Sequence, residues 1–209
     1  MSSAVSRTRL AVFISGRGSD MQAIIEAGKR GELDADVVWV VSNTEKAAGL
    51  ARAQDQGIET WVFRMKSYPS PAEAGSDLVA RLRARQVGYV VMAGYLKLMP
   101  VEVLRAFPDR VVNIHPGLLP RYGGPGMYGH HVHEAVLAAG EKESGCTVHL
   151  ADEIYDHGRI LEQVRVPVLS DDTPETLAAR VLIHEHIVLP KALQKLIKGE
   201  YRNHEKHSH

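Results

Sequence analysis

A doubly wound, mostly parallel α/β sheet flanked by helices, Rossmann-like in outline, is predicted by two features of this sequence. Short β-branched runs alternate with helical stretches as far as His115, the pattern of successive βαβ units. After Pro116 the pattern changes to a Gly/Pro-rich loop, a helix and two neighbouring strand-like runs, which predicts an antiparallel or mixed C-terminal sheet edge. In order, the strands of the first half are Leu10 to Ser15, Val37 to Ser42, Thr60 to Phe63, Tyr89 to Ala93 and Val111 to His115. The helices between them are Ser19 to Lys29, Glu45 to Gln56, Pro71 to Arg85 and Pro100 to Ala106. The loop Gly117 to Gly129 leads to a helix ending near Ala139, and the runs Gly145 to Leu150 and Ile160 to Val168 flank the turn-rich segment Ala151 to Gly158. Thr173-Pro174-Glu175 starts a last helix, reaching Lys198 and kinked at Pro190, whose ring nitrogen has no proton to donate. Residues 9–198 are expected to form one domain between a flexible N-terminus, 1–8, and a flexible tail, 199–209.

The chain has 209 residues, enough for one α/β domain with a full core. Its 25 Lys and Arg balance 25 Asp and Glu, which argues against nucleic acid or an anionic membrane as a general partner. The single cysteine, Cys146, excludes an internal disulfide framework and suits a reducing compartment. There is no run of about 20 apolar residues that could span a bilayer, and Met1 to Arg9 has no signal-peptide core. A cytoplasmic location is therefore expected.

The segment richest in chemistry is Asn113-Ile114-His115-Pro116. Alternate side chains of a strand share a side, so Asn113 and His115 project together from the strand's carboxyl end while Ile114 faces the core. Pro116 and Gly117 stop the strand, and Asp156, in Asp156-His157-Gly158, supplies a distant carboxylate. An amide, an imidazole and a carboxylate can stabilise an oxyanion and move a proton during acyl transfer. The carboxylate is expected to raise the imidazole's pKa and favour its charged, donating form.

The turn Ser15-Gly16-Arg17-Gly18-Ser19-Asp20 joins the first strand to the first helix. Its small residues let a ligand approach the backbone, the helix N-terminus offers free N–H groups, and Ser19 can cap the helix or touch an anion, so a phosphate fits there. A dinucleotide fits less well: Met21 stands where the third glycine belongs, and the second strand ends in Ser42-Asn43 without a ribose-binding acid. Ordinary structural roles compete at the other motifs. Asp156-His157-Gly158 can be a surface turn, with Asp152 and Glu153 as rival carboxylates, and His149 can face either the site or solvent. Of His130, His131 and His133, the adjacent histidines point apart on a helix and no cysteine or acid completes a tetrahedral set, so no metal is expected. His184-Glu185-His186 lacks zinc-protease spacing, and Cys146 reads as a buried core residue.

Together, Ile14 to Asp20, Ala93-Gly94-Tyr95-Leu96, Asn113 to Pro120, Gly145 to His149 and Asp156 to Ile160 resemble the folate-dependent formyltransferase family, and most closely its phosphoribosylglycinamide formyltransferase branch, over residues 9 to 198. The resemblance implies transfer of the formyl group of 10-formyltetrahydrofolate to the primary amine of glycinamide ribonucleotide, in purine synthesis. It implies Asn113, His115 and Asp156 as catalytic residues, with Gly16, Arg17, Gly18 and Ser19 holding the substrate phosphate and Glu185 contacting its ribose. It also implies that Leu96, Lys97 and Leu98, with the loop from Ala151 through Asp152 and Glu153 to Asp156, receive the folate pterin, largely through backbone groups. The expected partners are these small molecules, with no nucleic acid and no membrane, and the expected assembly is a monomer or homodimer. Lys97 stands where many members have arginine, Tyr95 to Pro100 is one residue shorter than the commoner version, and Gly123 to Gly129 resembles only a subset of the family.

On this reading the amine attacks the formyl carbon while Asn113 and protonated His115 stabilise the oxyanion, and Asp156 keeps His115 charged and helps pass a proton to the leaving folate nitrogen. The nearest alternative is a formyltetrahydrofolate deformylase, which would use the same triad with water as nucleophile. Formyltransferases acting on initiator methionyl-tRNA or on amino sugars are similar around Asn113 to Pro120. From another class, a non-catalytic nucleotide- or folate-binding protein would share the crevice but would not need all three triad residues.

Overall fold

The computed structural model describes residues 7–202. Its first half is five parallel strands, β1 (Thr8–Ile14), β2 (Ala35–Ser42), β3 (Glu59–Val62), β4 (Tyr89–Met92) and β5 (Val111–His115). Between and after them run α1 (Ser19–Lys29), α2 (Ala48–Gln54), α3 (Pro71–Ala84), α4 (Val101–Ala106), α5 (His130–Ala138), β6 (Glu143–Leu150), β7 (Ile160–Pro167) and α6 (Pro174–Ile197). The sheet order is β3-β2-β1-β4-β5-β6-β7, with β6 and β7 antiparallel to their neighbours, so the expected mostly parallel sheet with an antiparallel C-terminal edge is what forms.

Alternation along the strands divides the interior into two cores. Leu10, Val12 and Ile14 pack with Met21 and Ile24 of α1, Leu50 of α2, Val132 and Val136 of α5, and Leu177, Val181 and Leu189 of α6. Ala11 and Phe13 point the other way, toward Leu78 and Leu82 of α3 and Val103 of α4. The strands buried on both faces are near-continuous apolar runs for this reason.

Several boundaries differ from the sequence expectation. β1 begins at Thr8, and the Arg7 guanidinium donates to the carbonyls of Gly28, Leu33 and Ala35 at 3.0, 2.8 and 2.7 Å, so the expected flexible 1–8 segment is tied down at its end. α2 is shorter than expected at both ends. α6 continues through Pro190 as one 24-residue helix. Its start is fixed by a reciprocal cap between Thr173 and Thr176 and by the Arg180 guanidinium gripping Asp172 at 2.6 and 2.8 Å. Beyond α6 the chain forms a short 3-10 turn, Glu200–Arg202, and the Tyr201 hydroxyl donates to Glu162 at 2.9 Å, so the tail expected to be loose from 199 is held through that turn. His204, His207 and His209 lie outside the described residues.

The β6–β7 edge leaves no room at Gly145. A Cβ there would collide with the Val164 carbonyl and stand 2.7 Å from Leu118 Cδ2. Gly145→Ala is predicted to lower unfolding free energy by about 1–3 kcal/mol. Urea denaturation checks this, and an unchanged midpoint would show that β7 yields freely.

Candidate active site

The carboxyl ends of β1, β4 and β5 open onto one cleft of about 880 Å3, where ligands of open α/β sheets characteristically sit. Asn113, His115 and Asp156 all line it. Asn113 and His115 share a side at the end of β5, as the two-residue strand period requires. Asp156 arrives on the β6–β7 connection in a left-handed conformation, φ 53°, which Asp tolerates better than most residues.

Asp156 is the hub. Its Oδ2 accepts from the Gly124 N–H at 3.0 Å, and its Oδ1 lies 3.4 Å from Asn113 Nδ2, 3.6 Å from His115 Nδ1 and 3.6 Å from His149 Nε2. Burial pushes its carboxyl up, but His149, His115 and the Gly124 N–H together outweigh that, and the net shift is downward. Asp156 is therefore ionised at neutral pH.

His115 departs from expectation in its charge state. It is only 2% exposed, and burial lowers its pKa more than Asp156 and the Tyr122 carbonyl raise it, with His149 lowering it further. Its Nε2–H donates to the Tyr122 carbonyl at 2.7 Å. In the neutral ring the Nδ1 lone pair is thus left facing the cleft and Asp156. The neighbouring carboxylate does favour the charged form, as the sequence suggests, but desolvation is the larger effect.

His149, whose orientation the sequence left open, faces the site because β5 and β6 pair Asn113 with His149 and His115 with Thr147. Its Nδ1–H donates to the Leu150 carbonyl at 2.8 Å, so in the neutral ring Nε2 accepts from Asn113 Nδ2 at 3.0 Å. That fixes the orientation of the Asn113 amide. Thr147 supports the turn after His115 by donating to the Gly117 carbonyl at 2.6 Å and accepting from the Leu119 N–H at 3.2 Å. The loop Gly117 to Gly129 supplies both the Tyr122 carbonyl and the Gly124 N–H.

At the other end of the cleft, Arg17, Asp20 and Glu185 are lining residues, whereas Gly16, Gly18 and Ser19 are not. Gly18 is the residue before α1, at φ 71°, so Ser19 begins the helix and does not cap it. The Ser15 hydroxyl donates to Asn43 at 2.6 Å and accepts from the Leu96 N–H at 2.9 Å, tethering the loop after β4 to the end of β1. Leu96, Lys97 and Leu98 line the cleft together with Ala151, Asp152, Ile154 and Tyr155. Leu96, Leu98, Ile154 and Tyr155 expose apolar surface there, a rim suited to a flat ring. Glu153 is not brought in; it pairs with Arg105 at 3.1 Å, on the far side of its loop. The histidine cluster does not converge: His130 pairs with Glu175, His131 with Glu134, and His133 is buried with its Nδ1 unpartnered. Burial, with His130 and His115 nearby, pushes His133 down to about 4.

A sheet of this order, with Asn and His at the end of β5 facing an Asp from the β6–β7 connection, defines the class: the chain belongs to the formyl transferase family, whose pattern matches residues 8–193. Within that family it is 47% identical over 192 residues to the chloroplastic phosphoribosylglycinamide formyltransferase of Vigna unguiculata, covering 92% of this chain and 62% of that protein. The phosphoribosylglycinamide formyltransferase of Haemophilus influenzae is 34% identical over 194 residues, covering 93% of this chain and 89% of that one. Among solved structures, glycinamide ribonucleotide transformylase 1 from Symbiobacterium toebii superposes with a TM-score of 0.86 at 37% identity, covering 93% of this chain and 89% of that chain. The chain thus spans about 62% of the length of the plant relative.

The two glycines of the first turn separate by experiment. A Cβ on Gly16 meets nothing within 4 Å, whereas one on Gly18 would stand 3.0 Å from the Gly49 Cα at a left-handed φ. Gly16→Val should leave the unfolding free energy within about 0.5 kcal/mol of the parent, while Gly18→Val should cost about 1–3 kcal/mol. Equal losses in thermal or urea unfolding would contradict this division.

Proposed function

We propose that this protein transfers the formyl group of 10-formyltetrahydrofolate to the primary amine of glycinamide ribonucleotide, giving the N-formyl ribonucleotide and tetrahydrofolate. The observation that carries the reading is the joint placement of Asn113, His115 and Asp156 in a cleft with a Gly-rich helix start at one end and an apolar rim at the other. Phosphate at the start of α1, ribose near Glu185 and pterin between Leu96–Leu98 and the Ala151–Asp156 loop would set the amine and the formyl carbon against the triad. Lys97 and Asp152 would border the pterin; Glu153, turned toward Arg105, would not.

The chemistry follows from the hydrogen-bond arrangement. The amine nitrogen adds to the formyl carbon, and the carbonyl oxygen becomes an oxyanion. The Asn113 N–H that faces Asp156 at 3.4 Å is weakly engaged and can turn to that oxygen, while its other N–H stays on His149. Neutral His115 takes the amine's proton at Nδ1, and the resulting imidazolium sits beside the Asp156 carboxylate, 3.6 Å away. The same proton then goes to the departing folate nitrogen as the carbonyl re-forms. His115 thus serves as base first and acid second.

Asn113, His115 and Asp156 all come from one chain, which is compatible with a monomer or a homodimer. No helix among the described residues is long and apolar enough to cross a membrane. The lone buried thiol Cys146 supports a reducing, cytoplasm-like compartment for this chain, and the plant relatives are named as chloroplastic proteins.

Loss of 10-formyltetrahydrofolate is expected to require glycinamide ribonucleotide; consumption at the same rate without it would make the protein a deformylase. Asn113→Ala should cost about 100- to 1000-fold in turnover. Asp156→Asn removes the charge that stabilises the imidazolium, so turnover should fall steeply, and His115→Ala combined with it should be little worse than the more damaging single change. Because His115 must be neutral and its pKa lies below the usual 6.5, kcat/KM should fall once the pH drops through that lowered pKa. Asp156→Asn should move this limb to lower pH still. A limb that moves upward would contradict the assigned roles.

A further inference from the structure

The phosphate end of the cleft contains negative charge of its own. Asp20, the second residue of α1, and Glu185, on α6, are 9% and 7% exposed and both line the cleft. Asp20 Oδ1 is buried without a hydrogen-bond partner. His186 Nε2, 3.8 Å from it and beyond hydrogen-bond reach, has none either. The residue preceding α1, Gly18, offers no side-chain cap, and the Asp20 carboxylate turns to its own backbone N–H, one of the free amides of the first turn. The amides that would grip an anion are therefore already beside a carboxylate. A phosphate placed there would lie against two buried acids.

We infer that Asp20 is a proton-linked gate on the phosphate subsite: a phosphate displaces the Asp20 charge from the start of α1 only as Asp20, backed by Glu185, takes up a proton. This rests on reading Gly16 to Ser19 as the phosphate loop. The charged and titratable groups facing Asp20 are Glu185 and His186 from α6 and Cys146 from β6, while Arg17 of its own turn lines the same cleft. Of these, Glu185 dominates. Burial, with Asp20 beside it, pushes Glu185 up to about 8, and burial pushes Asp20 up to about 6. The pair thus shares about one proton at neutral pH, and an arriving phosphate draws in the second. Protonated Asp20 can donate a hydrogen bond to the phosphate in place of repelling it.

The test uses the full chain and the N-formyl ribonucleotide, which lacks a titrating amine, with the unphosphorylated N-formyl riboside as control. Asp20→Asn is expected to bind the ribonucleotide about tenfold to a hundredfold more tightly than the parent at pH 8, the upper bound being the two pH units between 8 and about 6. At pH 5 the two proteins should agree within about twofold, and the riboside should not distinguish them at either pH. Calorimetry of the parent at pH 7.5 in buffers of different ionisation enthalpy should show uptake of about one proton per ribonucleotide. Absence of uptake overturns the gate even if Asp20→Asn does not fold. Binding with no proton uptake, or an Asp20→Asn affinity equal to or below that of the parent at pH 8, overturns the gate and leaves the subsite standing. Riboside and ribonucleotide binding equally at both pH values overturns the phosphate loop itself.

Discussion

The Asp156 carboxylate joins the end of β5, the loop that follows it and β6. It takes the Gly124 N–H from the loop after β5, faces Asn113 and His115 at the end of β5, and lies against His149 of β6. Remove the charge and the Gly123–Gly129 loop loses its anchor, while the ring that must move a proton loses its counter-charge. The fit is tight: a Cβ on Gly123 would stand 3.1 Å from the Asp156 Cβ and 2.5 Å from Leu119 Cδ2. Gly123 is small because the loop must pass directly over the carboxylate.

This arrangement explains why a buried histidine can be both base and acid. Desolvation keeps His115 neutral, so Nδ1 is ready to accept a proton. When that proton arrives, the adjacent anion offsets the cost of a buried positive charge, and the Tyr122 carbonyl holds Nε2–H so that only Nδ1 exchanges. Carboxylates serve differently at the two ends of the cleft. Asp156 has histidines and an N–H to stabilise it and is held low, whereas Asp20 and Glu185 have mainly each other and are pushed up.

Much of this was legible in the sequence because it depends on local periodicity. The strand ending Asn113-Ile114-His115, the stop at Pro116 and the helix start at Thr173 follow from residue type and spacing, and so does the sheet class. What was hidden depends on register and burial. His149 could not be assigned a direction until the pairing of β5 with β6 put it opposite Asn113. Glu153 and Asp156 are both acids of one loop, and only the path of the chain sends one to Arg105 and the other to the site. The charge state of His115 was expected from its neighbour alone, since a sequence shows an adjacent carboxylate more readily than it shows the loss of water. Asp20 stood in plain view in the turn, but its significance came from Glu185, brought beside it by the packing of α1 against α6.

The central claim is that His115 rests neutral, protonated on Nε2, in a cleft whose carboxylate is ionised. Nitrogen-15 chemical shifts of the His115 ring, followed through a pH titration of the unliganded protein, test this directly. The account predicts a neutral ring at pH 7 with its proton on Nε2, titrating below 6.5. A ring that is still an imidazolium at pH 7.5, or a neutral one with its proton on Nδ1, would contradict it.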